Sequence, residues 1–163
     1  MKKVLITALV AVALGGCATY EPVPKDYNGP TALVRDTGFS EDGTKAQMFA
    51  VMAIDGNRVM NAFWASASAS QGHGASLTTV YPERAVQIKP MKVTLSGSHA
   101  TGAPIHAIAS QLAGTFFSVE GTVDFLPEAG HQYLVKGDLK KEKSSVWIED
   151  AETGKPVTTV VSK

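Results

Sequence analysis

Between Phe116 and Phe125 the side chains alternate in character: Phe117, Val119, Val123 and Phe125 point one way, and Ser118, Glu120, Thr122 and Asp124 the other. A period of two is the period of a β-strand with one apolar face and one solvated face. Such a strand cannot bury its apolar side alone, so the chain has to supply a second layer. The rest of the sequence offers more strands, in short runs rich in valine, isoleucine, threonine and aromatic residues separated by turn residues.

The candidates are Thr31 to Arg35, Gln47 to Ile54, Val59 to Ala65, Ala85 to Ile88, Lys92 to Ser98, Gln132 to Leu139, Ser145 to Glu149 and Val157 to Val161. Asp55-Gly56-Asn57 is a hairpin signal between the second and third. Met48, Phe49, Val51, Met52 and Ile54 are apolar on both faces, which fits a central strand covered on both sides or a short helix from Lys45 to Ala53. Asp55-Gly56 favours the strand. Pro127-Glu128-Ala129-Gly130 turns the chain into Gln132, and Asp150 to Lys155 forms a loop. The expected fold is all-β: a single antiparallel β-sandwich of about seven to eight strands over residues 31–163.

Residues 1–30 read differently. Lys2 and Lys3 precede an apolar run from Val4 to Leu14, and Leu14-Gly15-Gly16-Cys17 follows. As a helix, that run spans only about half of a ~30 Å hydrocarbon core, which fits a cleaved signal rather than a retained anchor. Leu14-Gly15-Gly16-Cys17 resembles the lipobox of bacterial lipoproteins. The resemblance implies a signal peptide over residues 1–16, a diacylglyceryl thioether on Cys17, and a mature chain that begins there. In that family Ala18 fits sorting to the outer membrane, with the domain on the periplasmic side. Two or three acyl chains hold a protein to a bilayer without a transmembrane helix. From Ala18 to Pro30 the chain is polar and punctuated by Pro22, Pro24, Gly29 and Pro30, so residues 17–30 are expected to be a disordered tether. Fully extended at ~3.3 Å per residue it reaches about 40 Å.

A second resemblance lies near the C-terminus. Phe125 to Val135, then Val146-Trp147-Ile148-Glu149-Asp150 and Thr153-Gly154, resemble the C-terminal half of a group of small bacterial envelope lipoproteins with a transthyretin-like β-sandwich domain. The resemblance implies a fold and a compartment but brings no active site.

Composition excludes one class of partner. Lysine and arginine number 15, aspartate and glutamate 15, with no basic stripe, so a nucleic-acid footprint is not expected. Cys17 is the only cysteine, so no disulfide is available within the chain.

Catalytic chemistry finds little support. His73, His99, His106 and His131 are available as bases, but there is no Gly-x-Ser-x-Gly elbow, and an envelope-polymer hydrolase is the least favoured class. Glu120 and Asp124 share a strand face about 13 Å apart, beyond the ~5–9.5 Å of glycosidase carboxylates. No metal-ligand spacing occurs either, and no cofactor is implied. His99 and His106 are the nearest pair. They would face each other only if the residues between them form a hairpin; otherwise His99 ends a strand and His106 is an ordinary histidine among Pro104, Ile105 and Ile108. Loops around His73, His99 and His106 define the alternative class, a small-ligand or metal-binding protein.

The leading class is a non-catalytic interaction or accessory module of the envelope, tethered by lipid and engaging an envelope protein. Trp64 and Trp147 are its candidate contact residues, because tryptophan is enriched at interface hot spots. Trp147 alternates with Val146 and Ile148, which fits an outer sheet face; the favoured reading is that it covers the second side of the sandwich or packs beneath the tether. The small run Ala65-Ser66-Ala67-Ser68-Ala69-Ser70 is expected to be an exposed connection or an edge strand.

Overall fold

The computed structural model describes residues 19–163. Two sheets face each other across one apolar layer, which makes the domain an all-β sandwich. Among the described residues ten strands are formed: β1 (Thr31–Arg35), β2 (Thr37–Ser40), β3 (Lys45–Ile54), β4 (Asn57–Arg58), β5 (Glu83–Gln87), β6 (Met91–Thr101), β7 (Ser118–Phe125), β8 (Gln132–Asp138), β9 (Ser145–Asp150) and β10 (Val161–Ser162). Two short helices join them, α1 (Ala62–Ala69) and α2 (Pro104–Leu112). The first sheet runs β10-β9-β8-β1-β5 and the second β2-β3-β6-β7, with β4 paired to β3. All pairings are antiparallel except that of β1 with β8, where Leu33, Val34 and Arg35 meet Gln132, Tyr133 and Leu134 in parallel.

Alternation decides which side chains meet. Val119, Val123 and Phe125 of β7 point inward as the sequence predicts, and Ser118, Glu120, Thr122 and Asp124 lie exposed. They join Phe49, Val51, Ile54, Val93 and Leu95 from the same sheet, facing Ala32, Val34, Val86, Tyr133, Val135, Val146 and Ile148 from the other. Phe125 and Tyr133 meet edge to face, ring centroids 5.0 Å apart. The Phe49 ring needs space, and two glycines provide it: a Cβ on Gly97 or Gly137 would come within 2.9 or 2.4 Å of that ring.

β3 is covered on both faces, so the central-strand reading of its apolar pattern holds. Ala46, Met48 and Ala50 on its outer side form a second, smaller cluster with Ala62 of α1, flanked by Phe63, Leu77 and Tyr81.

Several elements differ from the sequence-based expectation. Val59 to Ala65 is not a strand: pairing ends at Arg58, and α1 begins at Ala62. Asn61 caps it by accepting from the backbone N–H of Trp64 at 3.1 Å, and the small alanines allow close approach to β3. The alanine-serine run is therefore neither a loop nor an edge strand but most of α1. The stretch between His99 and His106 is not a hairpin, because β6 runs through His99 to Thr101 and Pro104 opens α2. Val157 to Val161 contributes only Val161 to a strand. Within the span expected as a tether, Tyr20 donates its backbone N–H to Arg58 O at 2.9 Å and packs against the core, and Pro22 is buried.

One polar group ties the layers together. Asp36 sits between β1 and β2, where the chain crosses from one sheet to the other, and is fully buried. Its Oδ1 accepts from Val51 N at 3.0 Å and Arg84 Nη1 at 2.8 Å, and its Oδ2 accepts from Ala62 N at 2.8 Å. Arg84 Nη2 donates onward to Met60 O at 3.0 Å. Burial pushes the Asp36 pKa up, and Arg84 with the two backbone N–H groups pulls it partly back. Removing one member of such a pair leaves the other's charge buried and uncompensated, with only backbone groups to bond. Asp36→Ala or Arg84→Ala is expected to lower unfolding free energy by about 3–5 kcal/mol in urea titrations, whereas the apolar double substitution Asp36→Leu with Arg84→Met should lose less.

Candidate functional site

An exposed apolar cluster is organised by α1. Ala62 and Ser66 face the sheet, so Trp64 is turned outward, 46 % exposed. Met60, just before the helix, is 45 % exposed. A serine of α1 and the serine that caps its C-terminus hold a third apolar residue alongside: Ser66 Oγ accepts from Val80 N at 2.8 Å, and Ser70 Oγ accepts from Thr78 N at 2.9 Å. These bonds pin the loop after α1 against the helix, leaving Val80 exposed near Trp64.

Trp64 is a ridge between two grooves. One, of about 440 Å³, runs over the second sheet between α1 and the β3–β4 hairpin, lined by Met52, Arg58, Asn61, Trp64, Thr94 and Glu120. The other, of about 470 Å³, lies between Met60, Trp64, Ala65, Ser68, Val80 and Pro82. Both are open and shallow, and the second is mostly apolar. That geometry suits a surface pressed against another surface better than an enclosed small molecule.

Trp147 is a different case. It lies half-buried on the outer face of the first sheet, opposite Lys136 of β8. Its indole N–H donates to Glu149 Oε2 at 3.2 Å. The two tryptophans are not brought together: Trp64 overlies the second sheet and Trp147 the first.

Nor do the histidines converge. His73, in the loop after α1, has Nδ1 3.4 Å from Thr78 Oγ1. His106 lies in the first turn of α2. His99 is 5 % exposed in β6, between the rings of Phe116 and Phe117. Its Nδ1 approaches Glu41 Oε1 at 3.1 Å without hydrogen-bond alignment, and neither ring nitrogen has a hydrogen-bond partner among the described residues. Burial, reinforced by Lys45, pushes its pKa down, and Glu41 opposes the shift. Among the described residues no three metal-ligating side chains come together.

One pair emerges that sequence spacing does not reveal. The β8–β9 register sets Tyr133 opposite Asp150, which brings His131, at the mouth of β8, to Asp150: Nδ1 lies 2.9 Å from Oδ2. This resembles the base and orienting acid of a hydrolase, but Nε2, the nitrogen that would serve a nucleophile, faces Glu128 Oε2 at 3.6 Å. Among the described residues no serine hydroxyl bonds to His131. Two carboxylates around one imidazole make a charged cluster at the edge of a shallow hollow of about 430 Å³.

Also missed was the exposed face of α2, where Ile108 and Leu112 are 53 % and 86 % exposed. Proline at the first helical position followed by apolar residues four apart was the available signal. Cys17 lies outside the described residues, as do Leu14, Gly15 and Gly16. Among the described residues no helix is long and apolar enough to cross a membrane.

No protein-family model, curated protein or solved structure matches the chain.

The His131 cluster has a definite pH signature. The hydrogen bond to Asp150, with Glu128 adding, raises the His131 pKa above 6.5, and the same bond with Thr153 N–H lowers that of Asp150 from 3.8 to about 2. A raised histidine stabilises the fold fully below 6.5 and loses that contribution as pH climbs through its folded value. A lowered aspartate contributes above 3.8 and loses it as pH falls toward 2. The pair therefore contributes most between those limits. Thermal melts across pH should show Tm falling on the alkaline side of that window, and His131→Gln should flatten that limb; an unchanged profile would remove the assignment.

Proposed function

We propose that this protein is a lipid-anchored lipoprotein of the bacterial envelope whose β-sandwich is a non-catalytic interaction module working through the Trp64 face. The anchor rests on Leu14-Gly15-Gly16-Cys17 behind a basic, apolar N-terminus. Ala18 favours the outer membrane, with the domain on its periplasmic side. A two-sheet sandwich is also the class implied by the likeness to small transthyretin-like lipoproteins. The single observation that carries the interaction reading is the exposed Met60–Trp64–Val80 cluster between two open grooves. Large apolar side chains held outward on and beside α1 cost free energy in water, and covering them is favourable.

A second reading has its own observation. The buried His99 imidazole, without a hydrogen-bond partner among the described residues, favours a small polar ligand or a metal near Glu41. A rise in Tm on titration with divalent zinc, abolished by His99→Phe, would support that alternative.

Two outcomes test the main reading. Cys17→Ser should leave the precursor uncut or the protein released from the membrane fraction; normal processing and retention would sink the anchor. With the native anchor kept, a photo-crosslinker at position 64 or 68 should capture an envelope component, and one at position 147 should not. Replacing Met60 and Val80 with serine should then weaken capture, each lost anchor being worth about 2 kcal/mol or a roughly thirty-fold change. Capture from position 147 alone would move the site to the other sheet.

A further inference from the structure

Resting on the anchor proposed above, we infer that the occupant of the Trp64 face is the bilayer surface itself, with the sandwich held flush against the lipid headgroups rather than at the end of a long tether.

The argument starts from where the chain is tied down. Tyr20 is fixed by its N–H bond to Arg58 O and by packing against the core, and Pro22 is buried. Only three peptide steps separate Tyr20 from Cys17. Even fully extended they span about 10 Å, a quarter of the reach of an unfastened segment running to Pro30. An acylated cysteine has its thioether at headgroup depth, so the bilayer surface lies within about that distance of Tyr20. A domain on so short a leash has to present some face to the lipid.

The choice of face follows from Arg58. It receives Tyr20 through its carbonyl and also lines the groove whose far side is Trp64. The chain exit is thus joined to the backbone of a residue that lines this hollow; Trp64 closes the hollow opposite, and Met60 and Val80 lie beyond it in the second groove. The chemistry of the two grooves on either side of Trp64 is that of a membrane-interface contact. Trp64 offers an amphipathic indole with no acceptor for its N–H among the described residues, while Met60 and Val80 add apolar area. Arg58 offers a cation to phosphate. Glu120 is the single carboxylate of the groove. Trp147, by contrast, lies on the opposite sheet with its N–H already given to Glu149.

The test uses the full-length protein extracted from membranes and reconstituted into phosphatidylethanolamine–phosphatidylglycerol vesicles carrying a headgroup-level spin-labelled lipid. Trp147→Phe leaves Trp64 as the only tryptophan, and Trp64→Phe leaves Trp147. The Trp64 emission is expected to be quenched and blue-shifted on vesicles, and the Trp147 emission unaffected. A Gly-Ser insertion of about twelve residues between Ala18 and Thr19, which keeps both the cysteine and the Tyr20 contact, should abolish the quenching while the protein still floats with the vesicles. Flotation with no quenching of Trp64 would overturn the flush arrangement and leave the anchor standing, and so would a discrete protein adduct from position 64 in cells. Quenching that survives the insertion would overturn the short-leash argument. Absence of acyl chains on Cys17 by mass, with no flotation, would overturn the anchor and this inference together.

Discussion

The carboxylate of Asp36 is the point on which the two sheets and α1 all depend. It stands where one continuous run of chain leaves the first sheet as β1 and enters the second as β2, a place where backbone donors on several elements would otherwise be buried without partners. Three of its bonds reach β3, β5 and α1, through Val51, Arg84 and Ala62. A buried amide without an acceptor costs of order 1–3 kcal/mol. One side chain thus prevents two such losses, at Val51 and Ala62, while pairing Arg84, and it does so only if all three elements occupy their native places. Arg84 extends the same network to Met60 O, so the turn before α1 is fixed by the charge that holds the sheets.

The exposed face follows from that constraint. With Ala62 tied to Asp36 and Asn61 capping the helix at Trp64, the rotation of α1 about its axis is set. The small side chains then go toward Ala46, Met48 and Ala50. Trp64 has no route into a cluster of alanines and methionine already closed by Phe63, so it is left outside. Ser66 and Ser70, the residues that make the run look featureless as sequence, are the ones that fasten the following loop and bring Val80 alongside.

The strands with one apolar face were legible residue by residue. β7 alternates, β3 is apolar on both sides because it is sandwiched between the core and α1, and Trp147 falls on the outer face of β9 as its neighbours Val146 and Ile148 require. The parts that were not legible share a cause. Val59 to Ala65 has the composition of a strand, and only the demand for a helix cap at Asn61, and for small residues over β3, makes it a turn of helix. His131 and Asp150 are nineteen residues apart, and nothing in either segment points to the other until β8 and β9 are in register. Residues 20–22 look like linker, yet Tyr20 finds a backbone acceptor on Arg58, thirty-eight positions along the chain.

By itself the amino-acid sequence determined the all-β class, the inward and outward faces of the main strands, and the N-terminal pattern from which an anchor is proposed. Those properties depend on local periodicity and on contiguous motifs, which a linear chain displays in full. The tertiary structure decided where Trp64 sits, what His131 touches, and how little chain is left between Cys17 and the folded domain. Each of these depends on hydrogen bonds and packing between residues distant in sequence, whose proximity is created by closing the two sheets around Asp36.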